Sequence, residues 1–234
     1  MKQNAISAAA KQQRRADFLS AARRLFIQRQ ALPAVADIAA DIGLAKGTVY
    51  RYFQTKEQIF LALLSEDFAS LFSQLEQVIA GLPQPLAAAA APFAKGYLTL
   101  LLQSDSLLPL MALLNAVLEQ NLPQQQLLAF KQQLARALQT LGAQLAVHFN
   151  GLTADRASQL LLHTYALTLG LYQSSHLPAS VKLLLQQQGL TQLQRDFNTE
   201  LLSAITQLWL GASSQLTPTG CTGSCNNNVI ESAS

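Results

Sequence analysis

The chain has 234 residues, half of them hydrophobic and only 12% charged, which is long enough for a sizeable core and too apolar for a disordered polypeptide. Apolar runs are broken by Gln, Ser or a charge before the ~18 residues of a membrane span, and Met1-Lys-Gln-Asn-Ala-Ile-Ser lacks the apolar stretch of a signal peptide. A soluble, cytoplasmic protein without membrane contact is therefore expected. The formal net charge of +3 is unevenly placed. Residues 1–56 hold ten Lys or Arg against three acids, a net +7, while residues 57–234 hold six bases against ten acids, a net −4. A basic head on a mildly acidic body suits a polyanionic partner, although charge alone describes a solvated basic surface equally well.

Helical periodicity runs nearly throughout, and no alternating β-branched run suggests a strand. The first helix is predicted over about Lys11 to Arg29, with Phe18, Ala22, Leu25 and Phe26 on one stripe. Leu32-Pro33 leads into a short second helix, where Val35, Ile38, Ala39 and Ile42 repeat at helical spacing. Gly43 is placed to close it in the left-handed conformation, and Leu44 to plug the core at the turn. A third helix follows from about Lys46 to Phe53, with Val49 and Phe53 facing inward. Two short helices around a glycine turn make a helix-turn-helix, whose second helix is suited to the major groove of DNA.

Thr55-Lys-Glu-Gln58 is a capping-box pattern that starts a long helix to about Ala80, roughly 39 Å in length. Phe60, Leu63, Leu64, Phe68, Leu71, Phe72, Leu75, Val78 and Ile79 line it, and Gly81-Leu-Pro-Gln-Pro85 ends it. Further helices are predicted near 86–103, 106–121, 123–149, 153–175, 178–188 and 191–211. Thr153 and Thr191 are placed as N-caps, and Gln194 completes a second capping box. The predicted organisation is a head at 1–55, a connecting helix at 56–80, a helical body at 81–212 and a disordered tail at 213–234.

The stretch Gly43-Leu-Ala-Lys-Gly-Thr-Val-Tyr-Arg-Tyr-Phe-Gln-Thr-Lys-Glu57, behind the Ile38-Ala39 helix, closely resembles the TetR/AcrR family of one-component bacterial transcription regulators. The motif-level likeness covers about residues 12–68; the remainder is similar only in length, helical content and helix order. The resemblance implies an all-α fold, with an N-terminal three-helix DNA-binding domain and a C-terminal helical domain for ligand binding and dimerisation. It implies a homodimeric repressor on a palindromic operator, released by a small effector, with double-stranded DNA, a second copy of the chain and that effector as partners. Activation rather than repression stays open.

Chemistry at each position agrees with that implication. Gly47 lets the third helix approach the sugar-phosphate backbone, and Lys46 adds a mobile positive charge beside it. Thr48 can touch a phosphate or a thymine methyl, and Tyr50 and Tyr52 bring phenolic hydroxyls to backbone reach, with a partly core placement of either tyrosine as the alternative. Arg51 is a bidentate donor suited to guanine. Lys56, with Lys11, Arg14 and Arg15 of the first helix, would clamp flanking phosphates. Two departures from the family pattern stand out: Ala45 precedes the Lys-Gly pair where Ser or Thr is usual, and Pro33-Ala34 replaces a hydroxyl at the start of the second helix. A missing N-cap side chain typically costs ~1 kcal/mol.

In the body, Leu160, Thr164, Leu167 and Leu171 form one stripe and Leu193, Phe197, Leu201, Leu208 and Trp209 another, an expected four-helix pairing surface between two copies. The alternative is that both stripes are buried within one chain. Candidate effector-pocket residues are Phe93, Tyr97, Leu101, Met111, Asn115, Phe130, His163 and Tyr172, and the sparse charge suggests an apolar or aromatic, drug-like or lipid-like ligand. Plain core is the competing reading of each. His148 and His163 read as a surface and a core histidine rather than as ligands.

No phosphate-binding glycine loop, HExxH or nucleophile elbow occurs, so no catalytic residue, no metal, no cofactor and no enzymatic activity are expected. Cys221 and Cys225 read as reduced thiols in the tail, with a redox switch or shared metal site as the alternative. The rival function is a helical carrier or adaptor for a hydrophobic ligand, which would leave the basic head unexplained.

Overall fold

The computed structural model describes residues 2–216, and ten α-helices account for most of them. Cys221, Cys225 and most of the predicted tail lie outside the described residues. Helix α1 (Lys2–Arg29) begins well before the predicted Lys11. Residues 8–16, rich in Ala and Gln, favour helix by propensity and are exposed, so no apolar stripe announces them. α2 (Val35–Asp41) and α3 (Lys46–Val49) follow, and then α4 (Lys56–Ala80).

The turn between α2 and α3 is a complete Schellman closure. Gly43 sits at φ +68°, its N–H donates to Ala40 O at 3.0 Å, and Leu44 N–H donates to Ala39 O at 2.9 Å. Helix α3 is a single turn, shorter than the predicted Lys46–Phe53 span. Tight turns continue it, with Tyr52 N–H and Phe53 N–H both donating to Val49 O. Gly47, two β-branched residues and two tyrosines make a weak helix former, so packing of Val49 and Phe53 holds the segment rather than propensity. Ala34 and Ala45 stand at the two N-caps and offer no side-chain acceptor.

α4 is capped as expected by Thr55, whose Oγ1 accepts from Gln58 N–H at 3.3 Å; the Gln58 side chain reaches back one residue further, accepting from Gln54 N–H at 2.7 Å. The first half of α4 closes the head core over Phe18, Phe26 and Ile38, with Phe26 and Phe60 rings 5.7 Å apart. Its second half enters the body, where it packs on α5 (Leu86–Leu101), α6 (Leu107–Leu113) and α7 (Gln124–His148). α8 (Ala154–Ser175) lies between α7 and α10 (Phe197–Ser214), and α10 packs closely on the alanine-rich face of α5. There Trp209 is fully buried and stacks on Phe93 with ring centroids 3.7 Å apart.

Two predicted helices are broken up. The 106–121 span is α6, then a π-helical turn at Leu114–Leu118, then a 3-10 turn at Glu119–Asn121. The final helix starts at Phe197 rather than 191. Asp196 is its cap, accepting from Thr199 N–H at 2.9 Å, and those Thr199 hydrogen bonds hold the Asp196 carboxyl below its usual pKa. Thr191 begins only a 3-10 turn, and Gln194 donates instead to Lys182 O at 2.7 Å, so the second capping box does not form. α9 (Ala179–Gln187) buries none of its residues.

Gly142 on α7 sets the α7–α8 approach. A Cβ there would lie 2.2 Å from Ser158 Oγ and 2.9 Å from the Ala154 carbonyl. Gly142→Ala is expected to destabilise the fold by about 1–3 kcal/mol, because backbone must shift as well as a side chain. Urea denaturation checks this, and an unchanged midpoint would contradict the close approach.

Candidate nucleic-acid interface and ligand cavity

The head carries more cations than it leaves free. Arg14 pairs with Asp17 at 3.6 Å, Arg24 with Asp41 at 2.5 Å, and Arg29 with Asp37. Arg15 lies 5.3 Å over the Phe53 ring and 3.6 Å from Glu66. Arg23 reaches across to the buried Asp67. Arg14 pairs within α1, and the other four arginines tie α1 to α2 and α4. Among the described residues no ion pair is found for Lys11, Lys46 or Arg51, all exposed, and Lys56 only approaches Glu57 at 4.0 Å.

Three of the sequence candidates converge on one groove. Lys46, Tyr50 and Lys56 line it together with Gln54, Thr55 and the first residues of α2, Ala34 to Ala36. Lys46 Nζ sits 5.7 Å over the Tyr50 ring, and Tyr50 is 45% exposed, unusual for so large an aromatic group with no partner surface. Gly47 is exposed with nothing within 4 Å of a would-be Cβ, so its face of α3 is open to a close-approaching backbone. Thr48 is half-buried beside it. Tyr52 takes the partly core alternative: its ring is half-buried and packs on Phe18 at 5.3 Å. Arg14 and Arg15 are engaged within the chain, as above. The sequence reading did not single out Gln54 or the α2 edge, because neither carries charge or a motif.

The body holds a cavity of about 310 Å³ between α4, α5, α6, the π turn, α7 and α8. Of the predicted pocket residues, Tyr97, Met111 and Asn115 line it. Phe93 and Leu101 are fully buried core, Phe130 packs on Phe68, and Tyr172 stacks on His176 beside Phe197. His163 is exposed at a separate groove between α8 and α10, whereas His148 is half-buried with Nε2 2.8 Å from Leu82 O, the reverse of the predicted assignment. Half of the lining comes from α4 and α7: Phe68, Leu71, Phe72 and Leu75, then Lys131, Leu134, Leu138 and Leu141. Burial raises the pKa of the Tyr97 phenol to about 12, against a smaller opposing effect of its Thr168 hydrogen bond.

The predicted pairing stripes are largely internal. Leu160, Thr164, Phe197, Leu201 and Trp209 are buried within one chain, with Trp209 Nε1 donating to Thr164 Oγ1 at 3.2 Å. Leu167, Leu171 and Leu208 are half-buried, and Leu193 is exposed away from that face in its 3-10 turn. Both helices bury an inner face into the body and turn another outward, and the sequence stripe selected the inner one.

Head and body meet at a polar cluster. Arg23 Nη1 donates to Asp67 at 2.8 and 2.9 Å and to Ser104 Oγ at 3.2 Å, and it also bonds Ser106; Ser106 Oγ donates to Asp67 at 2.9 Å. Asp67 precedes Phe68, a cavity residue, and Ser106 begins α6, which carries Met111 to the cavity wall.

A helix-turn-helix head with an open basic groove, joined to an all-helical body with an apolar cavity, defines a one-component regulator architecture. Residues 18–63 match the family model described as bacterial regulatory proteins, tetR family, and residues 65–215 match that of the tetracyclin repressor-like C-terminal domain. The chain belongs to the TetR family of transcription regulators. Two of the solved structures similar to it illustrate the shared fold. The fatty acid degradation regulator FadR from Bacillus halodurans is 18% identical with TM-score 0.54, covering 84% of this chain and 94% of its own. FadR from Bacillus subtilis, solved in complex with stearoyl-CoA, is 18% identical with TM-score 0.53, covering 84% and 98%. No curated protein sequence matches the chain. Among the described residues no helix is long and apolar enough to cross a membrane, and no group of His, Cys, Asp and Glu could hold a metal ion.

Removing Arg23 leaves the buried Asp67 carboxylate without its cation. Arg23→Ala is expected to cost about 3 kcal/mol, and Asp67→Ala in that background to cost much less than it does alone. A double-mutant cycle by chemical denaturation checks this; additive losses would contradict the coupling.

Proposed function

We propose that this protein is a DNA-binding, effector-responsive repressor acting as a homodimer. The observation that carries the reading is the division of labour among its cations. Five head arginines are engaged within the chain, while Lys46 and Lys56 flank an open groove with Tyr50 between them. In this reading residues 1–55 form the DNA-binding head, 56–80 the connecting helix and 81–212 the effector and pairing body. Lys46, Tyr50, Thr48 and Lys56 contact phosphates, the Gly47 face admits the backbone, and Arg51 reads a base edge. Lys11 reaches a flanking phosphate from α1.

One head spans too few base pairs for genomic specificity, so two copies reading two half-sites fit the physics. The outward faces of α8 and α10 are the proposed pairing surface, where His163, Leu208 and Gly211 border a groove and Leu210 is exposed. An effector in the 310 Å³ cavity would press on Phe68 and Met111, beside Asp67 and Ser106, and so shift the head through α4. Coupling of this kind typically amounts to ~1–3 kcal/mol. FadR of Bacillus subtilis, with stearoyl-CoA bound, offers a precedent for a lipid-like ligand in this fold. The carrier alternative accounts for the cavity and leaves the groove without a role.

Selection of binding sites from random duplex DNA tests the reading. A palindrome is expected, lost in Lys46→Ala/Tyr50→Ala. On the selected duplex, Lys56→Ala should reduce the slope of log affinity against log salt by about 1, the signature of one lost phosphate contact. A folded protein that enriches no sequence at low salt, or affinities insensitive to salt, would count against DNA binding and favour the carrier.

A further inference from the structure

The polar atoms of the cavity are unevenly committed, and that asymmetry assigns its two ends. At the deep end, Thr164 Oγ1 accepts from Trp209 and donates to Leu160 O at 2.8 Å, while the Tyr97 hydroxyl lies 3.3 Å from Thr168 Oγ1, whose one proton goes to Thr164 O at 2.7 Å. Those groups are satisfied within the chain, and Leu71, Leu75, Met111 and Leu141, each at most 4% exposed, present only hydrocarbon around them. At the mouth the residues are open: Asn115 and Lys131 are exposed, and Tyr165 is half-buried. An apolar floor below a polar mouth is the complement of an amphipathic molecule.

The sign of the polar group follows from what the mouth offers. Among the described residues Lys131 is the only cationic one lining the cavity. Its ammonium lies 2.5 Å from Glu119 Oε1, an ion-pair contact that engages one of its three N–H donors and leaves two for a ligand. Asn115, Lys131 and Tyr165 line the same cavity and Glu119 pairs with Lys131, so the four polar side chains form one cluster. Burial first, and Glu119 second, raise the Tyr165 pKa and keep its phenol a donor. The cluster thus holds three donor groups, on Lys131, Tyr165 and Asn115, against one carboxylate already facing the ammonium.

We propose that the cavity binds a monocarboxylate with an apolar tail, the tail on the leucine floor and the carboxylate at the mouth on Lys131. This rests on the reading of the cavity as the effector site. A cationic head would meet the Lys131 ammonium, and a neutral hydroxyl would gain little over water there. Arg in place of Lys131 would preserve the charge, whereas Met would keep the apolar stem and remove it.

Calorimetric titration of the full chain with decanoate, decanol and decylamine, each below its micelle-forming concentration, tests the proposal. Trp209, the sole tryptophan, hydrogen-bonds a cavity residue and gives a fluorescence readout of the same event. Decanoate is expected to bind about tenfold more tightly than decanol, the scale of one hydrogen bond to a charged group, with decylamine weakest. Lys131→Met should bring decanoate to the level of decanol and leave decanol unchanged, and Lys131→Arg should retain the preference. Equal binding of decanoate and decanol by the unaltered protein would overturn the carboxylate assignment while leaving the cavity a ligand site. Tighter binding of decylamine would overturn it in favour of Glu119 as the recognising group. Binding of none of the three would overturn the cavity reading itself.

Discussion

Helix α4 belongs to two cores at once, and the rest of the molecule depends on it. Phe60 and Leu64 are fully buried under the head, and over about the next four turns Phe68, Leu71, Leu75 and Ile79 are buried in the body. A packed interior resists continuous deformation, so a rigid helix shared by two interiors moves them together or not at all. The crossing point between the two is polar. Asp67 is held there by Arg23 from α1 and by Ser106 from the start of α6, which places an ion pair where head, connecting helix and cavity wall meet. An interaction so dependent on geometry is sensitive to small displacements of any of the three elements.

The same economy governs the charges of the head. A net +7 over residues 1–56 would be self-repelling if it were uniformly exposed. Acids on α1, α2 and α4 take up five arginines, four of which also brace helix packing, and Lys46 and Lys56 are left at the groove. Arginine suits fixed, planar pairing, and lysine suits a mobile contact with a phosphate. The body uses the converse arrangement: little charge, and a single lysine at the mouth of an apolar cavity.

Much of the fold is legible in the sequence because it rests on local signals. Gly43 after a periodic Val35–Ile42 run, and the Thr55–Gln58 pattern ahead of a long apolar stripe, specify turn and cap chemistry that the structure contains. The breaks inside 106–121 and the true start of α10 are less legible. A π turn preserves the apolar pattern of a helix, and Asp196 competes with Thr191 as a cap on equal local terms. The cavity is the least legible part. Phe68 and Phe72 read as ordinary stripe residues of a connecting helix, and Lys131 sits in a Gln-rich segment without a motif. Periodicity reports that a helix has an inner face; it does not report whether that face meets a side chain or a space. Tyr52 and the inner stripes of α8 and α10 show the same limit, since aromatic and leucine residues look alike in sequence whether they cover the core or a partner.

Native-state hydrogen exchange along α4 addresses the central claim most directly. The shared-helix account predicts that the amides around Phe60–Leu64 and those around Phe68–Leu75 open with one common free energy. It further predicts that Arg23→Ala lowers both sets together. Markedly weaker protection in the head half alone, with the body half unaffected by the substitution, would contradict it and leave the two cores mechanically independent.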